Sequence, residues 1–97
     1  MAWDENLKII GENDLKIQTQ KAIDNLKIAV EYAGGTLENI AMLRIYKVDY
    51  KKEDGPVINE ILRKNFGTSA PPASTWVSVQ GLANERFMIE IEAQAVI

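Results

Sequence analysis

The side chains best placed to do chemistry are carboxylates near the C-terminal end. Glu90, Glu92 and Gln94 fall two residues apart, so in an extended chain they project from one face as a polar stripe. Two carboxylates so close repel each other in a partly dry setting, and at least one needs a cation. Arg44 is a candidate partner. It lies midway along another extended segment, on a face that otherwise carries Met42, Tyr46 and Val48, where an unpaired guanidinium is costly. Pairing Arg44 with Glu90 or Glu92 satisfies both signs; an anion-binding site around Arg44 is the alternative. The sequence has no histidine and no cysteine. That removes Ser-His and Cys-His nucleophiles, imidazole acid/base catalysis, His-ligated metals, thiolate chemistry and disulfides. Chemistry must rest on carboxylates, hydroxyls, amides, Lys/Arg or backbone groups. No metal site and no cofactor are expected.

Bulk properties narrow the partners. The formal charge of −3 is of the wrong sign for phosphate backbones, so no nucleic acid partner is expected. The most basic stretch, Lys47, Lys51 and Lys52, is interleaved with Asp49, Glu53 and Asp54 and reads as a solvated turn. No apolar run approaches the roughly 20 residues of a membrane span. The start, Met-Ala-Trp-Asp-Glu-Asn, lacks the basic and apolar regions of a signal peptide, so a cytoplasmic protein with no membrane partner is expected. The 97 residues, 46% of them hydrophobic, make one domain over residues 1–97. A domain this small often completes its stability by oligomerising.

The elements that must hold these residues follow from periodicity. Leu7-Lys8-Ile9-Ile10 before Gly11 predicts a short extended strand. Asp14 is placed as a helix N-cap for Leu15 to Ala33, a segment without Pro or Gly. Within it Ala22, Ile23, Leu26, Ala29, Val30 and Ala33 form one stripe, and Gly34-Gly35 ends it. Glu38 to Asp49 predicts a strand with Ala41, Leu43 and Ile45 on one face and Met42, Arg44, Tyr46 and Val48 on the other. Both faces are largely apolar, so each needs a cover, and another subunit is the expected cover of the second. Asp54-Gly55-Pro56 leads into a helix over Val57 to Phe66 that buries Ile58, Ile61 and Leu62 and stops at Gly67. Thr68 to Pro72 is a loop. Thr75 to Gln80 and Phe87 to Val96 read as strands, the second with Phe87, Ile89, Ile91, Ala93 and Ala95 on one face. The order β-α-β-α-β-β gives an α+β fold, one mixed sheet with two helices on one face.

With these elements in place, the sequence resembles the Rid (reactive intermediate deaminase) family, also called YjgF or L-PSP. Gln18-Thr19-Gln20-Lys21-Ala22-Ile23-Asp24-Asn25-Leu26 followed by Ala33-Gly34-Gly35 is similar to the family's first helix. Glu38-Asn39-Ile40 leading to Leu43-Arg44-Ile45-Tyr46 and Asp49 is similar to the next strand. Asn59-Glu60-Ile61 with Phe66-Gly67 resembles the second helix. Pro72-Ala73-Ser74-Thr75 and Ile89-Glu90-Ile91-Glu92-Ala93 resemble the closing strands. The likeness runs from about Ala2 to Val96. It implies a chorismate-mutase-like sandwich assembled as a homotrimer, with ligand clefts between subunits that take small organic acids. It also implies hydrolysis of reactive enamines and imines. The family's N-terminal hairpin would precede Met1-Ala2-Trp3, so this chain reads as a short form lacking it.

The resemblance also assigns candidate site residues. Ser74 stands where the family's Pro-Ala-Arg-Ser/Thr motif carries the arginine that grips a substrate carboxylate. A hydroxyl does not replace that planar, bidentate fork. The implied function is therefore small-metabolite binding without imine deaminase activity. The alternative is an active enamine or imine hydrolase using Glu90, at the family's glutamate position, to orient or activate a water. As a structural residue Glu90 would pair with Arg44 or Arg86, or face solvent. Asn59 corresponds to a cleft amide, or is a surface residue of its helix. Trp76, where the family has a small residue, either walls the cleft or packs in the core. A ribonuclease reading fits worst, with neither histidine nor a basic surface.

Overall fold

A computed structural model describes residues 2–6, 8–67 and 71–97. Leu7 of the expected N-terminal strand and Thr68, Ser69 and Ala70 of the expected loop lie outside the described residues. Five elements carry the fold: α1 (Leu15–Tyr32), β1 (Ile40–Val48), α2 (Asp54–Phe66), β2 (Ala73–Val79) and β3 (Ile89–Ala95), with a 3-10 turn at Leu37–Asn39. The sheet runs β2-β1-β3, with β1 parallel to β2 and antiparallel to β3. Ahead of α1, the described residues of the expected strand form an isolated antiparallel bridge between Trp3 and Ile9. Its turn is closed by the Asp4 carboxylate, which accepts from the Asn6 and Lys8 amides at 2.8 and 3.0 Å.

Helix α1 starts where its cap dictates. Asp14 is extended, and its Oδ1 accepts from the Ile17 N–H at 3.0 Å, satisfying one of the free amides of the first turn. It ends as Gly34 swings to a φ of 97°, which lets Gly34 and Gly35 donate to the carbonyls of Glu31 and Val30. The buried side of α1 differs from the apolar stripe. Ala22, Ile23 and Val30 are buried, but Ala29 and Ala33 are exposed, and the polar Gln18 and Thr19 are fully buried. Thr19 returns its hydroxyl to the Leu15 carbonyl at 2.7 Å. Gln18 donates to the Arg86 carbonyl and accepts from the Met88 amide, both at 2.8 Å, tying α1 to the segment that enters β3. Each buried polar atom thereby keeps a partner.

Alternation along the strands divides the molecule. Leu43 and Ile45 of β1 and Ile89 and Ile91 of β3 face the helices, where they pack with Ile23, Ile58 and Ile61. The alternation slips once. A register irregularity between Ile40 and Met42 turns Ile40 into the core and leaves Ala41 exposed, reversing the expected placement of Ala41. Helix α2 begins at Asp54, three residues before the expected Val57, and includes Gly55 and Pro56 in its first turn. Gly55 is buried there because a Cβ would lie 2.7 Å from the Tyr50 hydroxyl.

That early start has an electrostatic counterpart. Lys47 is not part of a solvated turn. It occupies the helix-facing side of β1, 6% exposed, with its ammonium 3.2 Å from Asp54 Oδ2 and donating to the Val48 carbonyl at 2.6 Å. Asp54 also accepts from the Lys51 amide at 2.8 Å. The pair pins the end of β1 to the start of α2. Lys51 and Lys52 are exposed, as expected of a turn.

The other sheet face carries Met42, Arg44 and Tyr46 opposite Gln94, Glu92 and Glu90. Arg44 donates to Glu92 Oε1 at 2.8 Å, and the Tyr46 hydroxyl donates to the same oxygen at 2.8 Å. The hydrogen bonds from Arg44 and then from Tyr46 hold the Glu92 carboxyl below the usual carboxylate range. The Tyr46 phenol is pushed up, chiefly because Glu92 accepts its proton in a hydrogen bond and secondly by burial.

Two outcomes are expected. Replacing Asp54 with alanine strands a buried ammonium and should cost about 3 kcal/mol in urea unfolding, at the low end for a broken buried pair. Lys47→Met, which leaves Asp54 its backbone amide and a helix N-terminus, should cost under about 1.5 kcal/mol. The triad on the open face sets a pH window. The lowered Glu92 pKa contributes stability that disappears as pH falls through it, and the raised Tyr46 pKa contributes stability that disappears as pH rises through it. In a ¹³C-tyrosine NMR titration, Glu92→Gln should therefore move Tyr46 ionisation to lower pH; an unchanged midpoint would contradict the triad.

Candidate functional site

A groove of about 330 Å³ lies where the last turns of α2 meet the start of β2. Its floor is apolar, from Leu43, Leu62, Phe66 and Pro72, and its rim carries Asn59, Arg63 and Ser74. Helical spacing explains the rim. Asn59 and Arg63 are four residues apart on α2, so they stand one above the other on the same face. Ser74 arrives from β2 opposite Leu43, on the helix side of the sheet. Gly67 closes α2 with a φ of 75° and an amide bonded to the Arg63 carbonyl, and it lines the groove with Pro71 and Pro72.

Ser74 does not stand alone. The indole N–H of Trp76 donates to Ser74 Oγ at 3.1 Å, which occupies an acceptor site of the hydroxyl and leaves its proton to donate. Trp76 is half-buried against the core and meets Tyr50 edge-on, with ring centroids 6.2 Å apart. Beyond Trp76 a second cavity of about 320 Å³ lies over Lys47, Tyr50 and Ser78. Trp76 thus packs against the core and lines this second cavity, and it is not among the residues that line the groove.

The five residues singled out from the sequence do not meet in one place. Asn59 and Ser74 share the groove, and Trp76 supports it from behind. Arg44 and Glu90 are on the opposite face of the sheet. Arg44 takes the structural alternative and pairs with Glu92. Glu90 pairs with neither Arg44 nor Arg86, whose Nε instead contacts Asn84 Oδ1 at 3.4 Å. Among the described residues Glu90 makes no ion pair or side-chain hydrogen bond. Within one chain it cannot reach an occupant of the groove. Arg63 and Lys47 were not among the expected site residues. For Arg63 the available signal was its spacing from Asn59; for Lys47 it was strand alternation, which puts residue 47 with Leu43 and Ile45. Among the described residues no three acidic side chains converge as a metal site would need, and no helix is long and apolar enough to cross a membrane.

The chain and its fold have known counterparts. The family model described as Endoribonuclease L-PSP matches residues 1–97. A RutC family protein of Pyrococcus abyssi is 35% identical over 86 residues, which cover 89% of this chain and 65% of that relative. The chain thus spans about two thirds of the length of such relatives. Among solved structures, the Rid family protein YyfB from Yersinia pestis, itself of unknown function, superimposes with a TM-score of 0.91 at 36% identity. That match covers 99% of this chain and 72% of YyfB. RidA from an Antarctic Psychrobacter gives a TM-score of 0.85 at 26% identity, covering 99% and 74%. The fold is thus the α+β fold of Rid proteins, and the chain belongs to the Rid/YjgF family, also described as endoribonuclease L-PSP.

Proposed function

We propose that this chain binds a small organic acid in the groove edged by Asn59 and Ser74 and has no imine deaminase activity. The observation that carries this reading is the state of Ser74. At the position where the resemblance places the family's arginine, a hydroxyl already engaged by the Trp76 indole lines the groove. It offers one donor where a guanidinium offers a bidentate fork. Loss of the clamp at this strand position removes the particular placement of the substrate on which such a hydrolysis depends. Glu90 lies across the sheet from the groove of its own chain. Hydrolysis through Glu90 and water would require a second copy to bring the two together. Ribonuclease activity is disfavoured by the absence of histidine and by the net negative charge.

The same reading includes a cytoplasmic homotrimer with the open sheet face turned inward. Met42, Tyr46 and Val48 are only half-covered on that face, and Val77 is 40% exposed. An apolar face of this kind is ordinarily covered.

Two measurements test the proposal. Purified protein should hydrolyse 2-aminoacrylate no faster than buffer, assayed beside a relative that carries the motif arginine; comparable turnover by the two proteins would overturn the reading. Sedimentation equilibrium at micromolar concentration should return the mass of three chains, and a stable monomer would refute the trimer.

A further inference from the structure

We infer that Arg63 is the residue that sets the charge of what the groove accepts, selecting a small monocarboxylate with a compact apolar body. This rests on the groove being the binding site, as proposed above. Among the described residues that line the groove, Arg63 is the only charged one, and none of them is a carboxylate. Its guanidinium makes no ion pair or hydrogen bond with another described residue, and neither does the side chain of Asn59. The nearest acidic residue in sequence, Glu60, faces another way and reaches Lys16 at 3.9 Å. The polar rim is therefore rich in donors. It offers five N–H groups from Arg63, two from the Asn59 amide, and the hydroxyl proton of Ser74, whose oxygen already accepts from Trp76.

A rim of this composition favours an acceptor with negative charge over a neutral or cationic group. The apolar floor of Leu43, Leu62, Phe66 and Pro72 and the volume of about 330 Å³ limit the rest of the ligand to a short aliphatic or small aromatic body. The arginine comes from the helix side of the groove, not from the strand position that Ser74 occupies.

Arg63 also sits in the last turn of α2 beside Lys64, where any cation interacts favourably with the free carbonyls. A purely helix-stabilising role would be shared by Lys64, which does not line the groove, and this separates the two roles experimentally. The probes are butanoate, butanamide and butylammonium, titrated into ¹⁵N-labelled protein while the Arg63 Nε–H and Asn59 side-chain amide signals are followed. Butanoate should shift both signals to saturation, and butanamide and butylammonium should bind at least tenfold more weakly. Arg63→Met should weaken butanoate binding at least tenfold, the loss of a charge-assisted contact. Arg63→Lys should fall between, because it keeps the charge and loses the fork. Lys64→Met should bind like the unaltered protein.

Equal binding of butanoate and butanamide, or unchanged affinity in both Arg63 variants, would overturn the role of Arg63 while leaving the groove as a binding site. If none of the three probes shifts the groove signals, the groove reading itself falls along with the inference. Should Arg63→Met fail to fold, the probe comparison and Arg63→Lys decide the matter alone.

Discussion

The alternation of side chains along β1 is the constraint on which the rest of the molecule depends. As the middle strand of the sheet, β1 transmits its two faces to β2 and β3 through a register that is unbroken from Met42 to Lys47. Residues 43, 45 and 47 then look toward the helices, and residues 42, 44, 46 and 48 look away. Every question about which side chains can act together reduces to this parity. It joins Ser74 to Asn59, and it separates both from Arg44 and Glu90. A slip of one residue would exchange the two sets. The single irregularity, at Ile40 and Met42, falls before the polar and functional positions and leaves their parity intact.

Polar groups inside the helix side do the aligning that apolar packing leaves undetermined. Isoleucines from four elements make a core with little directional preference, and such packing tolerates small displacements of a helix over a sheet. The Gln18 amide and the Lys47–Asp54 pair tolerate far less, because a misplaced partner leaves a desolvated donor or acceptor. Gln18 fixes α1 against the approach to β3, and Lys47 fixes α2 against the end of β1. Gln20 and Asn65 add a reciprocal amide pair between the two helices. The groove rim on α2 inherits its position from these contacts.

Much of this was legible in the sequence, and the rest was hidden for identifiable reasons. Asp14 and Gly34 announced the ends of α1 because capping is local chemistry. The core faces of β1 and β3 were legible because alternation is geometric, and the mixed sheet with two helices on one face followed. The exchange of Ile40 for Ala41 was not legible, since a bulge is settled by the partner strand. Neither was the burial of Lys47. Counting charges along the chain pairs it with its sequence neighbours, whereas its partner depends on α2 folding back over β1. Asn59 and Ser74 were found by likeness to a family motif, and the structure brought them into one groove. Glu90 came from the same motif likeness, which does not say which side of the sheet a motif faces. Arg44 came from strand alternation, which placed it on the face it shares with Glu92.

The two hydrogen bonds of Gln18 also bear on how the chain reaches this state. They join residues 68 and 70 positions apart, so β1, α2 and β2 all lie inside the loop they close. Closing so long a loop carries an entropic cost that the intervening elements must first reduce. During synthesis α1 can form early, yet its amide finds no partner until Arg86 to Met88 have left the ribosome. Until then the most buried polar residue of α1 stays hydrated, and the helix has no fixed seat on the sheet. The domain is therefore built to fold after translation has passed β3, with the earliest helix waiting for the latest strand.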